Sequence, residues 1–315
     1  MDFIEVTPKR RPLLFWNTIK KEKIRRLIFH NPWIRLLKLR MVAMLAITTF
    51  IGFYWGNRWF LEPLTSLFFL LLGTSLAAGG SMVLNQYLEH LPDSKMDRTK
   101  NRPIPQKEIT PFQALIYGTV LVLIGIALVS QTTLLAAFLT LLIAFLYVVV
   151  YTPLKQITWL NTSIGAVSGA LPPLVGWAAA QNTLSPEAWL LFLLLFIWQH
   201  PHFFAIAWIY KQDYERGGFK HLPNVDPSGH RTMFYTILYS LFLVPTVLMP
   251  FRWGQAGILY LAGSLTLTSI FILFSLLMAK ERTIQSARWV LYASLAYLPA
   301  MILLLVIDAK PPTPL

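Results

Sequence analysis

Cysteine is absent from the 315 residues of the chain. That removes disulfides, thiolate metal sites and cysteine nucleophiles together. Charge is scarce as well: Asp, Glu, Lys and Arg make up 13% of residues, against roughly 25% in a soluble domain. Acidic residues are the rarer sign, 14 against 27 Lys and Arg, so a carboxylate next to an apolar run needs a reason to be there. We find no low-complexity linker and no stretch polar enough for a separate soluble domain. The early residues lack the h-region and small-residue cleavage site of a secretory signal. Asp2, Glu5 and Glu22 argue against a mitochondrial presequence.

What remains is apolar, 56% of the chain. Nine runs approach the roughly 20 residues a helix needs to cross hydrocarbon. They fall at 41–57, 64–88, 112–130, 133–151, 160–180, 187–210, 233–250, 256–279 and 289–307. The expected fold class is therefore an all-α integral membrane protein, a bundle of nine transmembrane helices. Counting Lys and Arg gives the orientation. Residues 1–40 hold eleven, and alternate loops bring the total on one face to 24 of 27, leaving Arg58, Arg252 and Lys310 for the other. The positive-inside rule then puts the N-terminus in the cytoplasm. Topology accounts for the net charge of +13, and no nucleic acid is needed. Residues 14–40 mix apolar and basic side chains as a helix lying on an anionic leaflet would. The expected organisation is a basic amphipathic segment over 1–40, the membrane domain over 41–307 and a short tail over 308–315.

The stretch NQYLEHLPDSKMDRTKNRPIP, residues 85–105, organises the chemistry. Asn85, Glu89, Asp93 and Asp97 recur every four residues, so Asn85 and Glu89 share a helix face. Pro92 should end or kink the helix. Acidic groups contribute little to topology, and a carboxylate at the bilayer centre costs roughly 2.5–3.5 kcal/mol. Three carboxylates and a carboxamide beside Arg98, Lys100 and Arg102 suit a magnesium–diphosphate complex, because Mg²⁺ takes one or two carboxylates plus phosphate oxygens.

Two further stretches join it. In WQHPHFFAIAWIYKQDYERGGFKHLP, His200 and His202 flank Pro201 inside a predicted span, with Lys211, Asp213, Tyr214 and Glu215 at its inner end. Imidazole there suits haem iron, another metal or a substrate carboxylate, and Asp213 is a candidate ligand of a second Mg²⁺. In YTPLKQITWLNTSIGAVSGALPPLVGW, Lys155 is the one charge of a short inside loop, serving either topology or a phosphate. Gly165 and Gly169 have the GxxxG spacing of closely packed helices. Pro172 and Pro173 should break the fifth span. Tyr87, Tyr151, Phe203, Phe204 and Trp208 lie near the acidic clusters, as core packing or as shields for a carbocation.

These stretches resemble the UbiA-type intramembrane prenyltransferases, and within them the haem-directed branch of protohaem IX farnesyltransferases. Asn85, Glu89 and Asp93 with Arg98, Thr99, Arg102 and Pro103 look like the first diphosphate motif. Tyr151, Thr152, Leu154, Lys155, Thr158, Asn161, Ile164, Gly165, Gly169, Ala170, Pro172, Pro173, Gly176 and Trp177 follow the pattern of the haem branch. So does HPHF with Asp213, Tyr214, Gly218, Leu222 and Pro223. The resemblance covers about residues 37–305 and implies a nine-helix fold, farnesyl diphosphate as donor, haem B as acceptor and Mg²⁺ as cofactor. It implies a catalytic group of Asn85, Glu89, Asp93, Arg98 and Lys155. Lys38, Arg40, Arg102, Tyr151, Lys211 and Tyr214 would hold substrate, and His200 or His202 would position the macrocycle through iron or a propionate. It further implies a bacterial inner membrane, a cytoplasmic-facing site, and haem A synthase or terminal-oxidase assembly partners. Two departures stand out: the usual TKPR entry to the first span reads Leu37, Lys38, Leu39, Arg40, and Met233 replaces a common polar residue. A prenyltransferase for an aromatic or quinone precursor is the rival enzyme, disfavoured by HPHF and by the lack of a second DxxxD pair. A transporter, the other rival, should place its ionisable groups in mid-span.

Overall fold

The computed structural model describes residues 31–310. Most of the expected N-terminal surface segment and residues 311–315 of the tail lie outside the described residues. Among the described residues there are nine helices long and apolar enough to span a membrane and no β-strand. Spans one to nine are Leu39–Gly56, Leu64–Leu88, Pro111–Val129, Leu134–Leu154, Asn161–Gln181, Pro186–Ile209, His230–Arg252, Ile258–Glu281 and Ile284–Ile307. The seventh and ninth begin three and five residues before their apolar runs, because their polar first turns are helical too. Thr283 caps the ninth by accepting from Ser286 N at 3.0 Å.

Small residues decide which helices touch. Spans two and three cross where Gly73 and Gly80 meet Gly125 and Gly118; a Cβ on Gly80 would sit 2.6 Å from the Gly118 carbonyl oxygen. Spans one and five cross at Gly52 and Gly176, where a Cβ would overlap the carbonyls of Pro173 and Thr49. Backbones can approach so closely only without side chains, which is how apolar helices gain contact in lipid. Gly165 and Gly169 act differently from the expected helix-to-helix seam. Gly165 makes room for the Tyr151 ring and Gly169 for the Gln199 amide.

Span five is the axial helix, with 72% of its apolar window buried against 28% in spans three, four and eight. It breaks where the two prolines require, at Leu171 between Asn161–Ala170 and Pro172–Gln181. Span four holds a π-helical turn over Leu146–Tyr151. Across that widened turn Thr152 Oγ1 donates to the Tyr147 carbonyl at 2.8 Å. The outer surface of the bundle carries Phe112, Leu134, Phe138, Ile258 and Leu303, each more than half exposed, as a lipid-facing belt would.

Candidate functional site

Span two delivers Asn85 to its last turn. The helix is interrupted at Glu89 (φ −97°, ψ 9°) and restarts as His90–Lys95. The break thus precedes Pro92, which occupies the first turn of the short helix, where a missing N–H costs little. Asn85, Glu89 and Asp93 are 1%, 4% and 0% exposed, and each meets a different partner. Asn85 Nδ2 donates to Thr152 Oγ1 at 3.0 Å, and Lys38 Nζ reaches Asn85 Oδ1 at 3.5 Å. Lys155 Nζ lies 2.8 Å from Glu89 Oε1, an ion pair without good hydrogen-bond alignment. Arg102 donates to Asp93 Oδ2 at 2.6 Å, while Asp93 Oδ1 is buried with no partner.

Local structure explains why these cations point inward. Lys38 sits at a left-handed joint (φ 51°) between the short helix Pro32–Leu36 and span one. That helix is pinned in two places. Gln86 Nε2 donates to the Leu36 carbonyl at 2.7 Å, and Arg35 donates to both oxygens of Glu108 at 2.8 Å. Lys155 follows the π turn, 4.5 Å over the Tyr151 ring and 5.7 Å from that of Phe219. Its carbonyl accepts from Lys220 N at 2.6 Å, and Asn161 Nδ2 donates to the Lys220 carbonyl at 3.2 Å. The loops after spans four and six are thereby zipped together.

At the rim, Arg98 lies between two rings, 4.8 Å from Tyr210 and 5.1 Å from Tyr214, and donates to the Tyr214 hydroxyl at 2.9 Å. Tyr214 packs 4.4 Å from His221. Asp213 accepts from the backbone N–H groups of Asp97 and Arg98, each at 3.2 Å. It therefore clasps the two large loops together with its oxygens already engaged. Asp97, expected to converge with the other acids, is exposed instead and paired with Lys100 at 2.6 Å and with Arg216. Arg40 is exposed and forms no ion pair among the described residues. Lys211 lies over the Trp208 ring, 5.6 Å away, rather than with the acids. His200 is fully buried between Ser163 of span five and Tyr239 of span seven, while His202 is half-buried against Ser294 of span nine.

Proton affinities follow from this crowding. Burial, joined by the Arg102 and Lys155 charges, holds the Lys38 ammonium well below the usual lysine range, with Glu89 and Asp93 opposing. Burial alone would also lower Lys155, but Glu89, followed by Tyr151 and Tyr147, outweighs it and holds Lys155 above its ordinary value. Burial pushes the His221 imidazole down to about 3, with help from Lys155 and Arg98. Asp97 is lowered by its hydrogen bonds to Lys100 and Arg216. The inner end of span two thus gathers Lys38, Arg102 and Lys155, with Arg98 at the rim, against two buried carboxylates. That surplus positive charge suits a polyanion.

Among the described residues no three His, Asp or Glu side chains gather as a metal cluster. The donor set at the acidic end is two carboxylates and a carboxamide. It fits Mg²⁺ on its chemistry, being all oxygen, and on the unpartnered Asp93 Oδ1. Sequence reasoning gave Thr152 no role beyond the family pattern and passed over Gln86 and His221. The first two carry no charge to draw notice. His221 is six residues beyond Glu215, where only folding brings it against Tyr214.

Comparison with known proteins agrees with this geometry. The model of the UbiA prenyltransferase family matches residues 45–304. Protoheme IX farnesyltransferase of Solibacter usitatus is 39% identical over 285 residues, covering 88% of this chain and 98% of that protein. The protein of the same name from Opitutus terrae is 39% identical over 282 residues, covering 88% and 94%. In fold, the chain is similar to digeranylgeranylglyceryl phosphate synthase, with a TM-score of 0.75 at 16% identity, covering 88% of this chain and 97% of the other. It is also similar to a UbiA homolog from Archaeoglobus fulgidus bound to DMAPP and Mg²⁺, with a TM-score of 0.63 at 15% identity, covering 88% and 100%.

Proposed function

Because the chain belongs to the UbiA prenyltransferase family, we propose that it transfers a farnesyl group from farnesyl diphosphate to a vinyl group of haem B, giving haem O and diphosphate. The observation that carries this reading is the buried pairing of Glu89 with Lys155 and of Asp93 with Arg102 at the inner end of span two. Each pair holds a carboxylate for a cation and a cation for a phosphate oxygen.

Asn85, Glu89 and Asp93 would hold Mg²⁺, which when bound would offset the charge of the diphosphate. Lys155, Arg102 and Lys38 face the same oxygens and take up the negative charge that builds as the allylic C–O bond breaks. Arg98, braced between Tyr210 and Tyr214, closes over the diphosphate from the rim. The farnesyl carbon forms a C–C bond to the vinyl terminus, and water adds to the resulting cation with loss of a proton, leaving a hydroxyethylfarnesyl group. Tyr147 and Tyr151 line the inner end of span four, where their ring faces stabilise positive charge on the farnesyl carbon. The Lys and Arg bias supports a cytoplasmic side for this end, and the membrane is a bacterial inner membrane on this reading. The product stays in the bilayer for a haem A synthase or a terminal-oxidase assembly partner.

Expressing membranes incubated with farnesyl diphosphate, haem B and Mg²⁺ should yield an extracted haem heavier by one farnesyl group plus one hydroxyl group. Unchanged haem alongside a prenylated aromatic acid or quinone precursor would overturn the haem assignment.

A further inference from the structure

Granting an iron-porphyrin acceptor, we propose that His202, and not His200, coordinates its iron, through an Nε2 lone pair that Ser294 keeps free. The two imidazoles are two residues apart on span six and so project about 200° apart around the helix axis. Their hydrogen bonds determine which nitrogen of each carries the proton.

His200 Nδ1 lies 2.7 Å from the Phe196 carbonyl oxygen. A carbonyl only accepts, so Nδ1 holds the hydrogen and donates. Nε2 is then the lone-pair nitrogen, and it accepts from Ser163 Oγ at 3.1 Å. Both nitrogens are used. The ring is also closed off, with Tyr239 parallel to it at 3.7 Å and Phe196 at 4.8 Å, and the residue is 0% exposed. His200 is a clamp joining spans five, six and seven.

His202 has the opposite arrangement. Its Nδ1 lies 2.7 Å from Ser294 Oγ. A serine hydroxyl has a single hydrogen, and Ser294 gives it to the Leu291 carbonyl at 2.6 Å. Toward His202 the hydroxyl can therefore only accept, so His202 Nδ1 is the protonated nitrogen. Nε2 is left unprotonated and without a hydrogen-bond partner among the described residues, on a half-buried side chain. An imidazole that donates its Nδ1–H to a fixed oxygen and presents Nε2 is the arrangement of a metal-ligating histidine. The ring plane is held as well. Trp198 stacks on it at 5.1 Å and 22°, and Trp198 Nε1 donates to the Ser294 carbonyl at 3.0 Å. Residue 294 of span nine thus orients both rings. An unprotonated Nε2 has no hydrogen to donate to a propionate, whereas its lone pair can bind iron.

The test uses the full chain in nanodiscs, titrated with haem B and, separately, with iron-free protoporphyrin IX. Optical, electron-paramagnetic-resonance and resonance-Raman spectra report iron–imidazole ligation. The wild type should show that signature. H202A should lose it, with haem affinity down about tenfold or more and protoporphyrin affinity unchanged, and added imidazole should restore the signature. H202Q, which preserves bulk, gives the same comparison if H202A does not fold. H200Q should keep the signature. S294A should keep ligation but lower the iron–imidazole stretching frequency and weaken haem binding by roughly tenfold, as loss of an orienting partner does. A signature that survives in both His202 variants, or is lost in H200Q, or is absent from haem-bound wild type, overturns the inference and leaves the farnesyltransferase reading standing. Failure of the wild type to bind either porphyrin overturns both.

Discussion

The Glu89–Lys155 pair allows structural and catalytic roles to be separated. With side chains only 5% and 12% exposed and 2.8 Å apart, neither charge can turn to bulk water when the other is removed. Breaking a buried pair typically costs roughly 3–5 kcal/mol, because the surviving charge is left uncompensated. The lower end of that range applies here. A stranded Lys155 keeps the Tyr151 ring at 4.5 Å, and a stranded Glu89 still has Lys38 nearby, whose ammonium it stabilises. We expect E89Q and K155M each to destabilise the folded protein by about 3 kcal/mol. The double variant should recover part of that loss, with a coupling of about 1–3 kcal/mol. Thermal unfolding in mixed micelles gives the three stabilities, and haem product formed in the same preparations gives activity. All three variants should be inactive, the double included, since neutralising both charges repairs the fold but not the diphosphate site. Additive destabilisation would mean that the pair is not coupled. A double variant that regains turnover with its stability would refute the catalytic role and reduce the pair to a structural contact.

Other outcomes follow from particular contacts. Chelation should abolish turnover and added Mg²⁺ restore it. D93N should raise the Mg²⁺ concentration needed for half-maximal activity, because it removes the acid that carries the unpartnered buried oxygen. D213A should free the loop N–H groups of Asp97 and Arg98, seen as faster protease cleavage within residues 97–110 and a higher KM for the diphosphate at unchanged thermal stability. Asp226 accepts from Thr232 N and Oγ1 at 2.9 and 3.0 Å at the start of span seven. Although burial opposes it, these bonds and that of Ser228 hold the acid below its ordinary value. Its stabilisation is therefore present above about pH 4, the unfolded carboxylate value, and is lost as pH falls through the lower native value. D226N should lose about 1 kcal/mol at neutral pH and show less acid sensitivity than wild type in thermal scans at stepped pH. G176A should cost about 1–3 kcal/mol or more through overpacking, read as a lower yield of monodisperse protein, because its Cβ would overlap the Thr49 carbonyl of span one.

Most of the fold was legible because a bilayer permits few solutions. Apolar runs near 20 residues must be helices, and the Lys and Arg bias tells which loops share a face. Span boundaries were off where polar residues continue a helix past its apolar stretch, as at Ile284. Asn85 and two of the three acids spaced after it, Glu89 and Asp93, do come together in the fold. Asp97 does not, because a four-residue step preserves a face only while the helix continues, and the short helix His90–Lys95 ends in an extended Met96 before it. The pairing of acids with particular cations was not legible. Lys155 lies 66 residues from Glu89 and reaches it through a π turn, whose single added residue per turn leaves no pattern in the sequence. The GxxxG spacing of Gly165 and Gly169 misled for a related reason. Spacing reports that small residues share a face, but not whether a backbone or a side chain fills the space they leave.

The same contacts explain why acidic residues can persist at this depth. Two buried carboxylates alone at the end of span two would repel one another, and so would three cations alone. Interleaved, Glu89 and Asp93 lower the cost of burying Lys155 and Arg102, while Lys38 bears the remaining strain as a depressed proton affinity. An incoming magnesium diphosphate offers each group a partner of the sign it already has. On the proposed reading the cations would exchange carboxylate oxygens for phosphate oxygens, and the carboxylates would exchange ammonium and guanidinium for metal. The exchange requires little reorganisation of the side chains, which is the condition under which fixed charges stabilise a departing anion most effectively.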